Sequence, residues 1–205
     1  MSKNKERNTK GKIIVAAWKL FYELGYDNTT VEEIIEESGT SKGSFYHYFE
    51  GKDALLSSLS YLFDEKYEEL MKDINPEMHA FDKLVYLNSE LFGMIENGIA
   101  IDLLARLFST QLITKGEKHL LDRNRTYYKV IREIVLDGQQ KGELSAEFSV
   151  NEIVKAYAML ERAIMYDWCI CNGEYSLKRY SMQMMPMLLA QYKIRNSELK
   201  FIPEL

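Results

Sequence analysis

Apolar residues recur along this chain at three- and four-residue spacings, the period of a helix with one buried face. Residues ~9–24 set Ile13, Ile14, Ala17, Leu20, Phe21 and Leu24 on such a face, and Gly25 follows where a left-handed cap is expected. Thr30 with Glu33 makes a capping box for a very short helix over ~31–38, closed by Gly39. Ser41 caps a second short helix over ~42–48. Gly51-Lys52-Asp53 then opens a long helix to ~71, with Leu55, Leu59, Leu62, Phe63, Tyr67 and Leu70 along one side.

The same period continues to the end. Asn75-Pro76 reads as an N-cap with proline at the first helical position, starting a helix that ends near Asn97-Gly98. Further helices are expected over ~99–114 and ~119–141. Ser149 with Glu152 is a second capping box and starts a helix to ~171, broken at Asn172-Gly173. The last helix covers ~176–194, with Pro186 expected to kink it. The pattern gives an all-α fold of about nine helices, without strand pairs or repeats.

The segment TVEEIIEESGTSKGSFYHYF (30–49) carries the physics of a helix-turn-helix. Val31, Ile34 and Ile35 can pack the first helix onto Phe45 and Phe49 of the second, and Gly39 permits the sharp turn. The second helix is left with Lys42, Gly43, Ser44, Tyr46 and His47 outward, small or polar groups at a helix start whose N–H groups attract phosphate. Glycine at its second position allows close approach to DNA.

A net charge of −5 is unusual for a DNA binder, so its distribution matters. Residues 1–12 carry Lys3, Lys5, Arg7, Lys10 and Lys12 against Glu6, and basic and acidic residues balance over 1–52. The acidic excess therefore lies in the C-terminal part. The apolar run Ile13 to Trp18 is cut by Lys19, too short for a signal peptide, and no later stretch is long enough to span a bilayer. A cytoplasmic protein without membrane contact is expected.

The stretch ~9–56 resembles the tetracycline-repressor (TetR) family of regulators. The matching residues are Leu20-Phe21, Gly25-Tyr26, Thr29-Thr30-Val31, Ile34, Ser38-Gly39, the run SKGSFYHYF (41–49), and Lys52 with Leu55. GQQKGEL (138–144) resembles that family's junction before its eighth helix. Ile35 stands where alanine is usual and Thr40 where valine is frequent. Glu32, Glu33, Glu36 and Glu37 must face away from phosphate.

The resemblance implies an N-terminal three-helix DNA-binding domain (1–51) and a C-terminal helical ligand-binding and dimerisation domain (52–205). It implies that Lys42 and Ser44 face base edges beside Gly43, that Tyr46 and His47 contact phosphates, and that Thr30, Ser41 and Lys52 lie at the DNA-facing helix starts. It implies a homodimer through helices ~150–171 and ~176–194. The first of these is apolar nearly all round (Ile153, Tyr157, Leu160, Ile164, Trp168), and the second is rich in methionine.

Within the family the ligand lies among the middle helices. Candidates here are Phe92, Leu103, Arg106, Leu107, Tyr127, Tyr128, Tyr157, Glu161 and Trp168, although each aromatic also reads as core. Arg106, amid leucines, is expected to pair with Glu161 or Asp102, or to hold an anionic ligand.

The remaining chemistry is sparse. Cys169 and Cys171 lie two apart on a helix, point to nearly opposite sides, and read as small apolar residues near a helix end. His47, His79 and His119 are scattered without ligand spacing, so neither a metal nor a cofactor is expected. No catalytic motif is visible. The expected function is a repressor that binds a palindromic operator as a dimer and is released by a small, largely apolar effector. The alternative is a DNA-binding protein of the same family without a small-molecule inducer.

Overall fold

The computed structural model describes residues 2–113 and 118–194, with side chains from Thr9 onward. The basic residues Lys3, Lys5 and Arg7 of the expected N-terminal arm therefore lie outside the described side chains. Among the described residues there are ten α-helices, two short 3-10 helices and no strand beyond one isolated bridge, Leu144 with Lys193. The helices are α1 (Ser2–Leu24), α2 (Val31–Ser38), α3 (Lys42–Tyr48), α4 (Lys52–Leu56), α5 (Leu59–Asp73), α6 (Ala80–Gly98), α7 (Ile101–Ile113), α8 (Thr126–Gln140), α9 (Val150–Ile170) and α10 (Leu177–Leu189). The fold is all-α, as the periodicity predicts.

Both capping boxes form. Thr30 Oγ1 accepts from the Glu33 amide while the Glu33 carboxylate accepts from the Thr30 amide, and Ser149 and Glu152 repeat the pattern at α9. These bonds satisfy N–H groups that the first helical turn leaves without partners. Gly39 takes φ 61°, the left-handed conformation that ends α2 and admits the turn into α3.

Three expectations need correction. The helix expected from Lys52 to ~71 is two helices. Ser57, Ser58 and Ser60 turn their hydroxyls onto the Ala54, Leu55 and Ser57 carbonyls, at 2.5–2.6 Å. The backbone there tightens to i→i−3 bonds, from Ser58 to Leu55 and from Tyr61 to Ser58. Serine hydroxyls that compete for helix carbonyls loosen the helical ladder, so no single rod leaves the helix-turn-helix. Asn75-Pro76 caps a turn, not a helix: Asn75 Oδ1 accepts from the Glu77 amide, and α6 begins only at Ala80, whose amide is taken by the Glu143 carboxylate. The helix expected over ~119–141 begins at Thr126, after a 3-10 turn at His119–Leu121. Pro186 lies inside α10.

The chain forms two compact units. The first comprises residues 1–65 and 98–122, the second residues 66–97 and 123–205. The first unit therefore extends beyond residue 51. Its core joins Ile13, Ala17, Leu20, Phe21, Tyr26, Ile34, Phe45, Phe49, Leu55 and Leu56 with Leu103 of α7. Val31 and Ile35 pack against this core from the side. Trp18 adds a hydrogen bond from Nε1 to Ser58 Oγ, 2.8 Å, tying α1 to the break between α4 and α5. In the second unit the buried side chains come from the end of α5 and from α6, α8, α9 and α10, and include Tyr67, Leu84, Phe92, Ile131, Tyr157, Trp168 and Met185.

Candidate functional site

The two short helices of the first unit are set by their caps and by one buried contact each. Ile34 is the buried residue of α2 and Phe45 that of α3. Ser41 Oγ accepts from the Ser44 amide at 3.1 Å and meets Ser44 Oγ at 2.9 Å, so α3 starts at a defined residue. With Phe45 and Phe49 inside, Ser41, Lys42, Gly43, Tyr46 and His47 are exposed and Ser44 is half-buried.

Gly43 stands out on this surface. A Cβ placed there would meet nothing nearer than Ser41 Oγ at 3.9 Å, and its φ is not among the chain's positive values. The fold therefore does not require a glycine at this point. A glycine inside a helix costs about 0.5–1 kcal/mol relative to alanine, so its presence suits close approach from outside the chain.

Three acidic residues of α2 have specific partners. Glu33 is spent in the capping box, and the hydrogen bonds from the Thr30 amide and hydroxyl hold its carboxyl below the ordinary range. Glu37 binds Lys19 Nζ at 2.6 Å, and Glu32 lies 3.5 Å from Lys42 Nζ. The last pair is well exposed at both ends, so a phosphate or base edge competes with it at little cost. Lys42 Nζ also lies 6.0 Å from the Tyr46 ring centroid.

Lys52 and Thr30 have internal work as well. Lys52 Nζ donates to the Tyr26 carbonyl at 2.6 Å and the Thr29 carbonyl at 2.8 Å, and lies over the Tyr26 ring. The lysine thus fastens α4 to the turn between α1 and α2. Two of its three protons are used in this way. Tyr26 Oη donates to Asp53, and burial together with that carboxylate raises the phenol's pKa.

Arg106 does not pair with Glu161 or Asp102. It belongs to the first unit, where its guanidinium binds Asp27 and lies over the Tyr26 ring, 4.8 Å from the centroid, with Nε buried and unpartnered. Sequence spacing showed its apolar neighbours on α7 but not the acid 79 residues earlier.

The nine ligand candidates divide between the units. Leu103, Arg106 and Leu107 are in the first; Phe92, Tyr127, Tyr128, Tyr157, Glu161 and Trp168 are in the second. Trp168 Nε1 donates to the Tyr175 carbonyl at 2.8 Å, and Tyr128 accepts from Arg162 at 3.4 Å. An open cleft of about 710 Å³ in the first unit, beside Lys52, Ser57, Thr110, Gln111 and His119, is lined by none of the nine.

The densest polar arrangement surrounds Glu161, which is 3% exposed. Tyr67 Oη (3.1 Å) and Asn88 Nδ2 (2.9 Å) donate to its Oε1, and Tyr127 Oη (2.7 Å) donates to its Oε2. Tyr157, one helical turn earlier on α9, donates to the Leu84 carbonyl at 3.0 Å and its hydroxyl also adjoins the Glu161 carboxylate. Burial raises the Glu161 carboxyl's pKa against the opposing effect of its hydrogen bonds. Tyr67, Tyr127 and Tyr157 are pushed well up by burial and by the neighbouring carboxylate. Tyr67 and Asn88 were not among the sequence candidates. Neither carries a local signal, because both reach Glu161 across more than 70 residues.

Among the described residues no group of three His, Cys, Asp or Glu is placed to hold a metal. Cys169 and Cys171 are unpaired thiols, and burial pushes the Cys169 thiol up to about 11. No helix of the described residues is long and apolar enough to cross a membrane.

The capped α2, the glycine turn and the outward α3 define a helix-turn-helix DNA-binding regulator. Residues 13–59 match the model of the bacterial regulatory proteins of the tetR family. The regulator QacR of Staphylococcus aureus is 27% identical over 152 residues, which cover 71% of this chain and 77% of that protein. The fatty acid metabolism regulator protein of Bacillus subtilis is 24% identical over 183 residues, 87% of this chain and 93% of that protein. Among solved structures, Thermus thermophilus FadR, a TetR-family repressor in complex with lauroyl-CoA, has a TM-score of 0.71 at 22% identity, covering 92% of this chain and 97% of that one. FadR of Bacillus subtilis in complex with stearoyl-CoA has a TM-score of 0.68 at 22% identity, covering 89% and 98%. Residues 13–59 are thus similar in sequence to the tetR-family regulatory proteins, and the chain shares the fold of the solved regulators.

Proposed function

We propose that this protein is a cytoplasmic, homodimeric repressor that binds a near-palindromic operator and is released by a small, largely apolar effector. Residues 1–51 act as the DNA-binding domain and residues 52–205 as the ligand-binding and dimerisation domain. The observation that carries the reading is the α3 surface, where a glycine that the fold does not need lies among exposed Lys42, Tyr46 and His47 and half-buried Ser44.

In this reading Lys42 and Ser44 meet base edges, while Tyr46 and His47 hold phosphates and so fix position without reading sequence. Ser41 and Thr30 lie at the starts of α3 and α2, and the third proton of Lys52 serves a phosphate. A two-fold dimer sets two α3 helices one DNA turn apart, ~34–36 Å, which makes the operator a near-palindrome. Exposed Met159, Tyr166 and Ile170 of α9, with Met182, Met187 and Leu188 of α10, support the pairing of these helices with a second copy.

The effector acts by binding better to the state that cannot span the operator. The test is selection of duplexes from a random pool on the full chain, followed by footprinting and sedimentation. A two-fold-symmetric footprint bound by a dimer is the expected result. A monomer bound to a single half-site refutes the reading.

A further inference from the structure

We infer that Arg106 of α7 is a positioning residue for DNA binding: through Asp27 and the Tyr26 ring it fixes the turn between α1 and α2, and with it the start of α2. This role rests on the proposed operator-binding function and adds to it a residue that acts through others. Gly25, at φ 83°, ends α1, and Thr30 already caps α2. The short run from Tyr26 to Thr29 therefore decides where α2 begins. Helix α2 has 8 residues and buries only Ile34 completely. A helix so short is not stable by itself, so its place depends on what holds its ends.

Within the turn Tyr26 and Thr29 are buried, while Asp27 and Asn28 are exposed. Thr29 Oγ1 donates to the Gly25 carbonyl at 2.8 Å, and the Thr29 amide donates to the Tyr26 carbonyl at 3.3 Å. These bonds shape the turn without tying it to the helices that follow α2. Side chains from later in the chain do that. Lys52 of α4 holds the Tyr26 and Thr29 carbonyls, and Asp53 holds the Tyr26 hydroxyl. Arg106 of α7 binds the Asp27 carboxylate and covers the Tyr26 ring, 4.8 Å from its centroid. Lys52 Nζ lies 4.3 Å from the same centroid. One ring thus receives a cation from α4 and another from α7.

Arginine here carries a cost that points to geometry. Its Nε is buried without a partner, and a buried donor without an acceptor is unfavourable. A lysine would avoid that cost, but it lacks the flat group that covers a ring while its edge meets a carboxylate. The helix that delivers the guanidinium is itself fixed. Leu103, one turn earlier, belongs to the core that holds Ile34 and Phe45. The ion pair is open to water, with side-chain exposures of 37% for Arg106 and 73% for Asp27. Such pairs add little to overall stability. The contribution is to orientation: a turn freed from α7 must be ordered again whenever the protein meets DNA, and that ordering weakens binding.

The test is fluorescence anisotropy of the full chain on its selected duplex between about 50 and 200 mM salt, with a thermal melt of each variant. Arg106→Met should weaken binding about threefold per half-site, hence about tenfold for the proposed dimer with two such turns. Its melting temperature should stay within about 3 °C of the parent's; a larger fall would make the residue structural and overturn the inference. The slope of affinity against salt should match the parent's, because no phosphate contact is lost. Asp27→Ala supplies a check of opposite sign. Removing an exposed carboxylate from a DNA-binding unit tightens binding by simple electrostatics. The positioning role requires weaker binding, by about threefold or more. The double variant should bind within about twofold of Arg106→Met alone, because both changes break one link.

Unchanged operator affinity in Arg106→Met, tighter binding by Asp27→Ala, or losses that multiply in the double variant would each overturn the inference. So would a salt slope reduced by about one, which would make Arg106 a phosphate contact. If the parent selects a duplex and the variants bind it equally well, only this role falls. A parent that selects no duplex takes the proposed function down with it.

Discussion

Replacing Gly43 with alanine tests the DNA-facing surface through opposite signs in two assays. In the free protein the new methyl meets only Ser41 Oγ, at 3.9 Å, an ordinary contact, and the residue is helical without a positive φ. Alanine also lowers the entropy of the unfolded chain. The expected gain is therefore about 0.5–1 kcal/mol, nearer the lower end because the position lies in the first turn of α3. For a chain of this length that raises the melting temperature by about 1–4 °C. On DNA the same methyl stands between the α3 backbone and the groove. Overpacking by one methyl costs about 1–3 kcal/mol, so operator affinity should fall between about fivefold and a hundredfold at fixed salt. Thermal melts and fluorescence anisotropy on one preparation give both numbers. A Gly43→Ala protein that is more stable and binds operator as the parent does would refute the assignment of this face. A less stable one would refute the claim that the fold does not need the glycine.

Gly138 should behave in the opposite way. An added Cβ would lie 2.5 Å from Ala80 Cβ and 2.9 Å from Leu144 Cδ1, so Gly138→Ala should lower stability by about 1–3 kcal/mol in chemical unfolding. Tyr46→Phe should weaken binding to selected and random duplexes alike, because a phosphate contact carries no sequence information, whereas Lys42→Ala should also flatten the preference among operator variants. Leu188→Asp should shift the sedimenting species from dimer to soluble monomer or to aggregate, and a dimer unaffected by the charge would remove α10 from the interface.

What was legible in the sequence follows the range of the interactions. The capping boxes, the Gly39 turn and the bounds of α2 and α3 were legible because each depends on residues three or four positions apart. The break between α4 and α5 was not, because the apolar spacing from Leu55 to Leu70 runs through it unchanged. Only the cluster of three serines marks it, and serine on a helix face ordinarily points to solvent. The start of α6 was misplaced because Asn75-Pro76 has the composition of a cap. The group that satisfies the helix start is Glu143, 63 residues away.

The same rule explains why the helix-turn-helix was readable and the surroundings of Arg106 and Glu161 were not. A recognition helix is a single short segment, so its exposed groups are adjacent in the chain. Arg106 drew notice as a lone charge among leucines, yet its partner Asp27 sits in a turn that no spacing connects to α7. Glu161 was one candidate among nine. Its meaning comes from Tyr67, Asn88 and Tyr127, each on a different helix and 34–94 residues distant. A buried acid is costly unless something answers its charge. The folded chain answers with hydroxyls and an amide and leaves one more acceptor, Asn88 Oδ1, facing inward without a donor.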